Sequence, residues 1–400
     1  MENEHSSTEM NIINRLCQTL EIKKWQAENT IELIDAGNTI PFIARYRKEA
    51  TGALDDATLR EFDRQLNMLR SLEDKREEIS RLIDAQGALN EEIKQAILSA
   101  TTLSELDDIY RPYRPKRRTR AIIAREKGLE PLASALKEYK KPLKDPVSEA
   151  EKYVDAEKGV NSADEAIAGA MDIIAEEISD NADYRKILRS MTEKEGIIVS
   201  KGDPDKDSVY SSYYDFSEPL HTLPPHRLLA INRGEKEGFL SVKITMDENK
   251  PVDFLIRKTV HDKSAPSAQY LESAAEDAYK RLIAPSLATE LRNAATEAAE
   301  ESSIKVFSKN LAGLLMQPPV RGHVVMGFDP GYRTGCKTAV VDPTGKVLDT
   351  GIVYCTLPNH DKEKAEKVLS NMIEKNGVDI ISIGNGTASA ESEVFIAGLI

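Results

Sequence analysis

Three features of the sequence predict a mainly helical, multidomain chain that closes on an α/β unit. Apolar residues recur at intervals of three and four through the first ~190 residues, where strand-like alternation is nearly absent. Two β-like runs then flank a turn-rich stretch, and helical spacing returns from Ser267 to Leu315. From His323 onward, apolar strand-like runs alternate with helices. These changes divide the chain into residues 1–192, 193–320 and 321–400.

In the first part, Ile12, Ile13, Leu16 and Leu20 share one helical face, and Ile31, Leu33 and Ile34 belong to a second helix that stops at Gly37. Asp55 or Asp56 caps a long helix with the stripe Leu59, Phe62, Leu66, Leu69, Leu72, Ile79 and Leu82, ending at Gly87. Further helices start near Asn90 and Thr102, and again after the turn at Pro112 and Pro115. Ile167, Met171, Ile174 and Ile178 form another stripe. After Met191, EGIIVSKG and GFLSVKITM read as strands, Pro224 to Arg233 as a short helix, and KGDPDKDSVYSSYYDFSEPL as a loop. Pro285 is expected to break the helical region that follows. Finally VVMGF, TAVVD and KVLDTGIVY are strands, the last two joined by the turn Asp342-Pro343-Thr344-Gly345. A helix from near His360, the strand VDIISIG and a helix near Ser389 complete the order of a ribonuclease-H-like fold. The pattern stops at Ile400 before that fold is whole, so the chain is expected to be a piece of a longer one.

Composition narrows the function. With 40% hydrophobic and 30% charged residues the chain is neither disordered nor membrane-spanning. Cys17, Cys336 and Cys355 lie far apart without metal-ligand spacing, and MENEHSSTEM is no secretory signal, which places the protein in a reducing cytoplasm. The net charge of -13 argues against a generic polyanion binder, but it averages unlike parts. Residues 111–125, RPYRPKRRTRAIIAR, hold seven cations (Arg111, Arg114, Lys116, Arg117, Arg118, Arg120 and Arg125) and no acid. Residues 147–183 hold 11 acids and two lysines.

Guanidinium forks suit phosphate oxygens, and Tyr110 and Tyr113 could stack on bases, so the basic run is the leading nucleic-acid candidate. The bland alternative is pairing of those arginines with the acidic helices of 147–183. Arg45, Arg47 and Lys48, after Ile40-Pro41-Phe42-Ile43, allow a helix-turn-helix reading or simply the wet side of a bundle. Tyr210, Tyr213, Tyr214 and Phe216 either stack on nucleotides or tack a loop onto the domain beneath it. No metal-ligand spacing joins His221, His226 and His261, and no cofactor motif is present.

Asp329, within Gly327-Phe328-Asp329-Pro330-Gly331-Tyr332-Arg333-Thr334-Gly335, ends the first strand of the last part, where ribonuclease-H-like nucleases place a metal ligand. Two-metal chemistry needs several converging carboxylates. The expected partner position, near Gly384-Asn385-Gly386-Thr387, offers neutral Asn385, with Glu391 and Glu393 following. Asp329 can equally be a plain turn residue.

Long blocks carry a family resemblance: TIPFIARYRKEATGALDD (39–56), LSELDDIYRPYRPKRRTRAIIAREKGLEPLA (103–133), DYRKILR (183–189), YYDFSEPL with PPHRLLAINRGEKEG (213–238), and MGFDPGYRTGCKTAVVD with ISIGNGTAS. Together they resemble Tex, the bacterial RNA-binding transcription accessory family, over essentially the whole chain. The resemblance implies a helical N-terminal region with a helix-turn-helix-like part, a central region, and a YqgF or RuvC-like domain, here incomplete. It implies a non-enzymatic nucleic-acid scaffold with RNA, and DNA as a second ligand, RNA polymerase as a partner, and Asp329 as a vestige of a nuclease. Composition and the absence of motifs give the expectation of no cofactor, no metal and no membrane. A RuvC-like metal-dependent nuclease centred on Asp329, and a protein-interaction module using the acidic helices, are the competing expectations.

Overall fold

The computed structural model describes residues 2–115, 117–138, 143–318, 320–356 and 361–400, with side chains from residue 9 onward. Residues Met1–Ile304 and Lys305–Ile400 form two compact units.

The first unit begins with helices α1 (Glu2–Leu20), α2 (Lys24–Asp35), α3 (Ile40–Tyr46), α4 (Lys48–Thr51) and α5 (Asp56–Asp84). Asp55 is the cap of α5, accepting the Thr58 N–H at 2.7 Å. The N-terminal half of the α5 stripe, Phe62, Leu66 and Leu69, buries against Ile12, Ile13, Leu16 and Ile31. Its C-terminal half, Leu72, Ile79 and Ile83, packs against α6 (Glu91–Ser99) and α7 (Leu103–Tyr110).

Then come α8 (Arg120–Glu126), α9 (Glu130–Lys137), α10 (Pro146–Glu151), α11 (Ala163–Asp180) and α12 (Ala182–Glu195). The middle of α11 is the core of this unit, with Ala166, Ala170, Ile173, Ile174 and Ala175 all essentially inaccessible. Small residues let neighbours approach closely: a Cβ at Gly169 would stand 2.4 Å from Leu129 Cδ1.

A three-stranded antiparallel sheet follows, ordered β2-β1-β3 from β1 (Ile197–Gly202), β2 (Asp215–Pro219) and β3 (Leu240–Thr245), with α13 (Pro225–Lys236) before β3. Strand β2 corrects the expected loop: turn formers dominate 201–214, but Asp215–Pro219 alternates half-buried and exposed side chains and pairs with β1 from Ile197↔Pro219 to Lys201↔Asp215. The unit closes with α14 (Asn249–Thr259), α15 (Ala268–Asp277) and the start of α16 (Ala284–Leu315). The break expected at Pro285 is instead a π turn over Ala278–Ile283, in which the Ala284 N–H donates to the Tyr279 carbonyl five residues back. That widened turn absorbs the proline ring and its missing N–H, so helical backbone runs on into α16.

A buried ionic cluster ties α7, α12 and α16 together. Arg185 Nε donates to Asp108 Oδ1 at 2.5 Å, Arg189 donates to the other Asp108 oxygen, and Arg189 Nε reaches Glu290 Oε1 at 2.6 Å. Arg185 also donates to the Ser286 hydroxyl at 3.1 Å, while its Nη1 is buried without a partner. The Arg185 side chain is 2% exposed and that of Asp108 6%, so neither charge has water to fall back on. Burial opposes ionisation of Glu290, but the Arg189 guanidinium and the Ser104 hydroxyl more than offset it and hold the carboxyl below its ordinary range.

At the edge of this cluster Lys186 pairs with Glu105 at 2.7 Å. Its hydrogen bond, with that from the Thr101 N–H, pulls the Glu105 carboxyl from 4.5 to about 2. A carboxyl depressed in the folded state adds stability above its unfolded value and loses it as pH falls through the folded one. The α7–α12 contact is therefore expected to weaken between pH 4.5 and about 2. Melting curves of the parent and Glu105→Gln should differ at neutral pH and converge near the acid end of that window; a constant difference would contradict this.

In the second unit, β4 (Val325–Asp329), β5 (Cys336–Val341), β6 (Val347–Val353) and β7 (Ile380–Ile383) form one sheet in the order β6-β5-β4-β7. Only β7 runs parallel to its neighbour β4 among these described pairings, reached through α17 (Lys362–Asn376), and α18 (Ser389–Leu399) follows. This is the ribonuclease-H-like order expected from the sequence. The β5–β6 turn is closed by the Gly345 N–H donating to the Asp342 carbonyl at 2.9 Å, with Gly345 at φ +88°. Ala365, Leu369 and Met372 of α17 cover Met326, Phe328, Val340 and Val353. No helix among the described residues is long and apolar enough to cross a membrane.

Candidate nucleic-acid interface

The basic run lies on an exposed connection between α7 and α8. A single 3₁₀ turn, Arg111–Tyr113, follows α7, since Pro112 and Pro115 cannot extend a hydrogen-bonded helix. Thr119 then caps α8, accepting the Ile122 N–H at 3.1 Å while its hydroxyl donates to Glu176 at 2.9 Å. The segment is thus anchored at both ends, and Arg114, Pro115, Arg117 and Arg118 between them are exposed.

The six described cations fall into distinct classes; Lys116 lies outside the described residues. Arg111 and Arg125 turn inward, toward Asp180 at 3.4 Å and Glu176 at 2.8 Å on α11. Burial, with Arg185 nearby, lowers the proton affinity of Arg111. Arg114 and Arg118 are exposed and hold exposed carboxylates, Asp107 at 2.8 Å and Glu126 at 3.2 Å. Pairs of that kind are worth roughly 0–1 kcal/mol, so a phosphate can take the place of the carboxylate. Arg117 and Arg120 are exposed and make no ion pair among the described residues, although the field of Arg120 reaches Asp172.

The pairing expectation thus holds for Arg111 and Arg125, while Arg114, Arg117, Arg118 and Arg120 stay exposed. A cleft beside it is lined by Arg111, Arg114 and Arg117 on one wall and Glu176 and Asp180 on the other. Its mixed sign leaves the exposed Arg114, Arg117, Arg118 and Arg120 as the positive outer edge of the run among the described residues. The stacking role expected of Tyr110 is not available: α7 turns it into the core, 7% exposed, with Arg114 over its ring at 5.7 Å. Tyr113 is half-buried, and its carbonyl accepts from Gln86 at 3.0 Å.

The aromatic candidates take structural places. Tyr210 is buried, Tyr213 meets Phe216 edge-on at 5.3 Å, and Tyr214 lies across Gly202, where any Cβ would collide with its ring. These aromatics tack the loop onto the sheet. Arg45, Arg47 and Lys48 are exposed at the α3–α4 junction and make no ion pair among the described residues.

Asp329 is exposed at the C-terminal end of β4, beside Gly384, where a Cβ would stand 3.5 Å from its Oδ1. The loop behind it is tight: Gly335 has φ +77°, and a Cβ on Gly331 would lie 2.9 Å from the Gly335 carbonyl. Glu391, an expected companion, instead accepts the Tyr332 hydroxyl at 2.7 Å, which holds its carboxyl below the ordinary range. Among the described residues no group of three or more His, Cys, Asp or Glu side chains is placed to hold a metal, so those present do not fit a two-metal set. The sheet also joins what sequence spacing kept apart. Antiparallel β5 and β6 bring the buried thiols of Cys336 and Cys355 to 3.5 Å, and burial, with Cys336 beside it, pushes Cys355 up to about 12.

Comparison with known families gives three matches in chain order: a Tex-like protein N-terminal domain over residues 10–84, a Tex central region over 141–307, and a Tex protein YqgF-like domain over 323–400. Protein tex of Bordetella pertussis is 40% identical over 404 residues, covering 97% of this chain and 51% of that protein. The transcriptional accessory protein Tex of Neisseria gonorrhoeae is 37% identical, with 98% and 52% covered. The human S1 RNA-binding domain-containing protein 1 is 33% identical, with 98% and 41% covered. The chain spans about half the length of the bacterial relatives it matches.

Proposed function

The chain belongs to the Tex family, and from that premise we propose that it is a nucleic-acid-contacting accessory factor of transcription, without catalysis of its own, working in the cytoplasm. One observation carries the reading: Arg114, Arg117, Arg118 and Arg120 present an exposed edge on which the only pairs among the described residues are weak surface ones. RNA is the first ligand, because relatives carry names that include transcriptional accessory and RNA-binding. DNA is the second, and RNA polymerase the protein partner. The test is retention of RNA or DNA at low salt with release as salt rises; a chain that retains neither contradicts the reading. Association with polymerase that survives nuclease treatment, without such retention, would point to a protein-interaction module on the acidic helices.

We read Asp329 as a vestige. Among the described residues its carboxylate belongs to no group of three or more that could hold a metal, Asn385 is neutral, and Glu391 is occupied by Tyr332. With Mg²⁺ or Mn²⁺ and single-stranded or branched substrates, no cleavage is expected from the parent or from Asp329→Asn. Cleavage that Asp329→Asn abolishes would make the chain a nuclease.

A further inference from the structure

We propose that the α3–α4 junction is a second contact surface, a stacking platform for single-stranded nucleic acid built from Trp25, Tyr46 and Arg47. Tyr46 is 60% exposed and Trp25 44%, and among the described residues of this unit they are the two aromatic side chains in the set of exposed large hydrophobics. Phe42 and Tyr46 lie one helical turn apart with ring centroids 5.3 Å apart, Arg47 sits over the Phe42 ring at 5.0 Å, and Arg45 is 6.0 Å from the Tyr46 ring. Trp25 packs on the far end of the short α4, lying over Gly52, where a Cβ would meet its Cη2 at 2.7 Å. The four residues of α4 span only about 6 Å, so the two aromatic surfaces flank one short turn.

The platform is held in place. Gln26 Nε2 donates to the Thr51 carbonyl at 3.0 Å, Asn29 Nδ2 to that of Ala50 at 2.9 Å, and Arg47 Nη1 to that of Tyr46 at 3.2 Å. Gly52 makes the left-handed turn, φ +65°, that ends α4. Between residues 40 and 54 there are three cations, Arg45, Arg47 and Lys48, and one acid, Glu49. Exposed rings flanked by cations that no carboxylate neutralises are what unstacked bases and their phosphates require. Duplex nucleic acid keeps its bases stacked on each other and cannot offer those faces.

This inference shares with the reading above only the class of ligand; its residues and its signal are separate. Trp25 is the single tryptophan of the sequence, so its emission reports on this surface alone. Titrating the full chain with poly(dT) and poly(U) should quench Trp25 emission saturably, and duplex DNA should quench it far less. Tyr46→Ala and Arg47→Ala should each weaken the single-strand affinity by about tenfold, and Tyr46→Phe should restore it. These side chains are exposed, so the variants should keep the parent's far-ultraviolet circular dichroism. Absence of binding, binding without quenching, equal quenching by duplex, or parental affinity in Tyr46→Ala would each overturn the proposal. If the arginine edge alone fails, its alanine variants keep their salt dependence and the quench persists; if the platform alone fails, the quench is lost and the edge still responds to salt.

Discussion

Replacing Arg185 by Ala is expected to lower the melting temperature of residues 1–304 by on the order of 10 °C. The guanidinium is fully enclosed, donates to Asp108 and Ser286, and shares Asp108 with Arg189, which in turn holds Glu290. Removing it strands part of a buried carboxylate, a loss of about 3–5 kcal/mol, far above the effect of deleting a surface pair. Asp108→Ala should do comparable damage from the other side, leaving two buried cations to share Glu290. The paired replacement Asp108→Leu with Arg185→Met should cost less than the sum of the single changes, because residues in one network are not additive. Thermal melts by circular dichroism check this, and a shift of only a degree or two for Arg185→Ala would contradict it.

The second large effect is on binding. Changing Arg114, Arg117, Arg118 and Arg120 together to Ala should cut affinity for nucleic acid by about a hundredfold at low salt if each arginine neutralises one phosphate. Stability should move little, since Arg114 and Arg118 hold only exposed carboxylates and the other two make no ion pair among the described residues. Arg111→Ala and Arg125→Ala should behave in the opposite sense, harming the fold around α11 more than binding, because their partners are Asp180 and the nearly buried Glu176.

Which cations of the basic run turn inward was not readable from the sequence. Charge counting places seven cations in 15 residues, but which of them turn inward depends on where α11 passes, and α11 is some fifty residues further on. Helices and their caps were legible because periodicity and capping are local: Asp55, Asn90 and Thr102 each accept the backbone N–H expected of a cap. The ribonuclease-H-like strand order was legible for the same reason, each strand being a short apolar run bounded by turn residues. Strand β2 was not, since its pairing with β1 is a tertiary decision that overrides local turn propensity. The ionic cluster of Asp108, Arg185, Arg189 and Glu290 was invisible for a related reason. Nothing in the spacing of DYRKILR marks Arg185 as buried or Arg189 as nearly so, and their partners lie 77 and 101 residues away. At the α3–α4 junction the cations were visible, while the exposure of Trp25 and the stacking of Arg47 on Phe42 needed coordinates.

The central claim, contact with nucleic acid through the outer arginine edge, is tested most directly by the dependence of binding on salt. The logarithm of the binding constant should fall linearly with the logarithm of salt concentration, and the Arg114, Arg117, Arg118, Arg120 alanine variant should reduce that slope by about 3 to 4, near one per lost phosphate contact. A variant with the parent's slope would show that the edge touches no phosphate and would contradict the account.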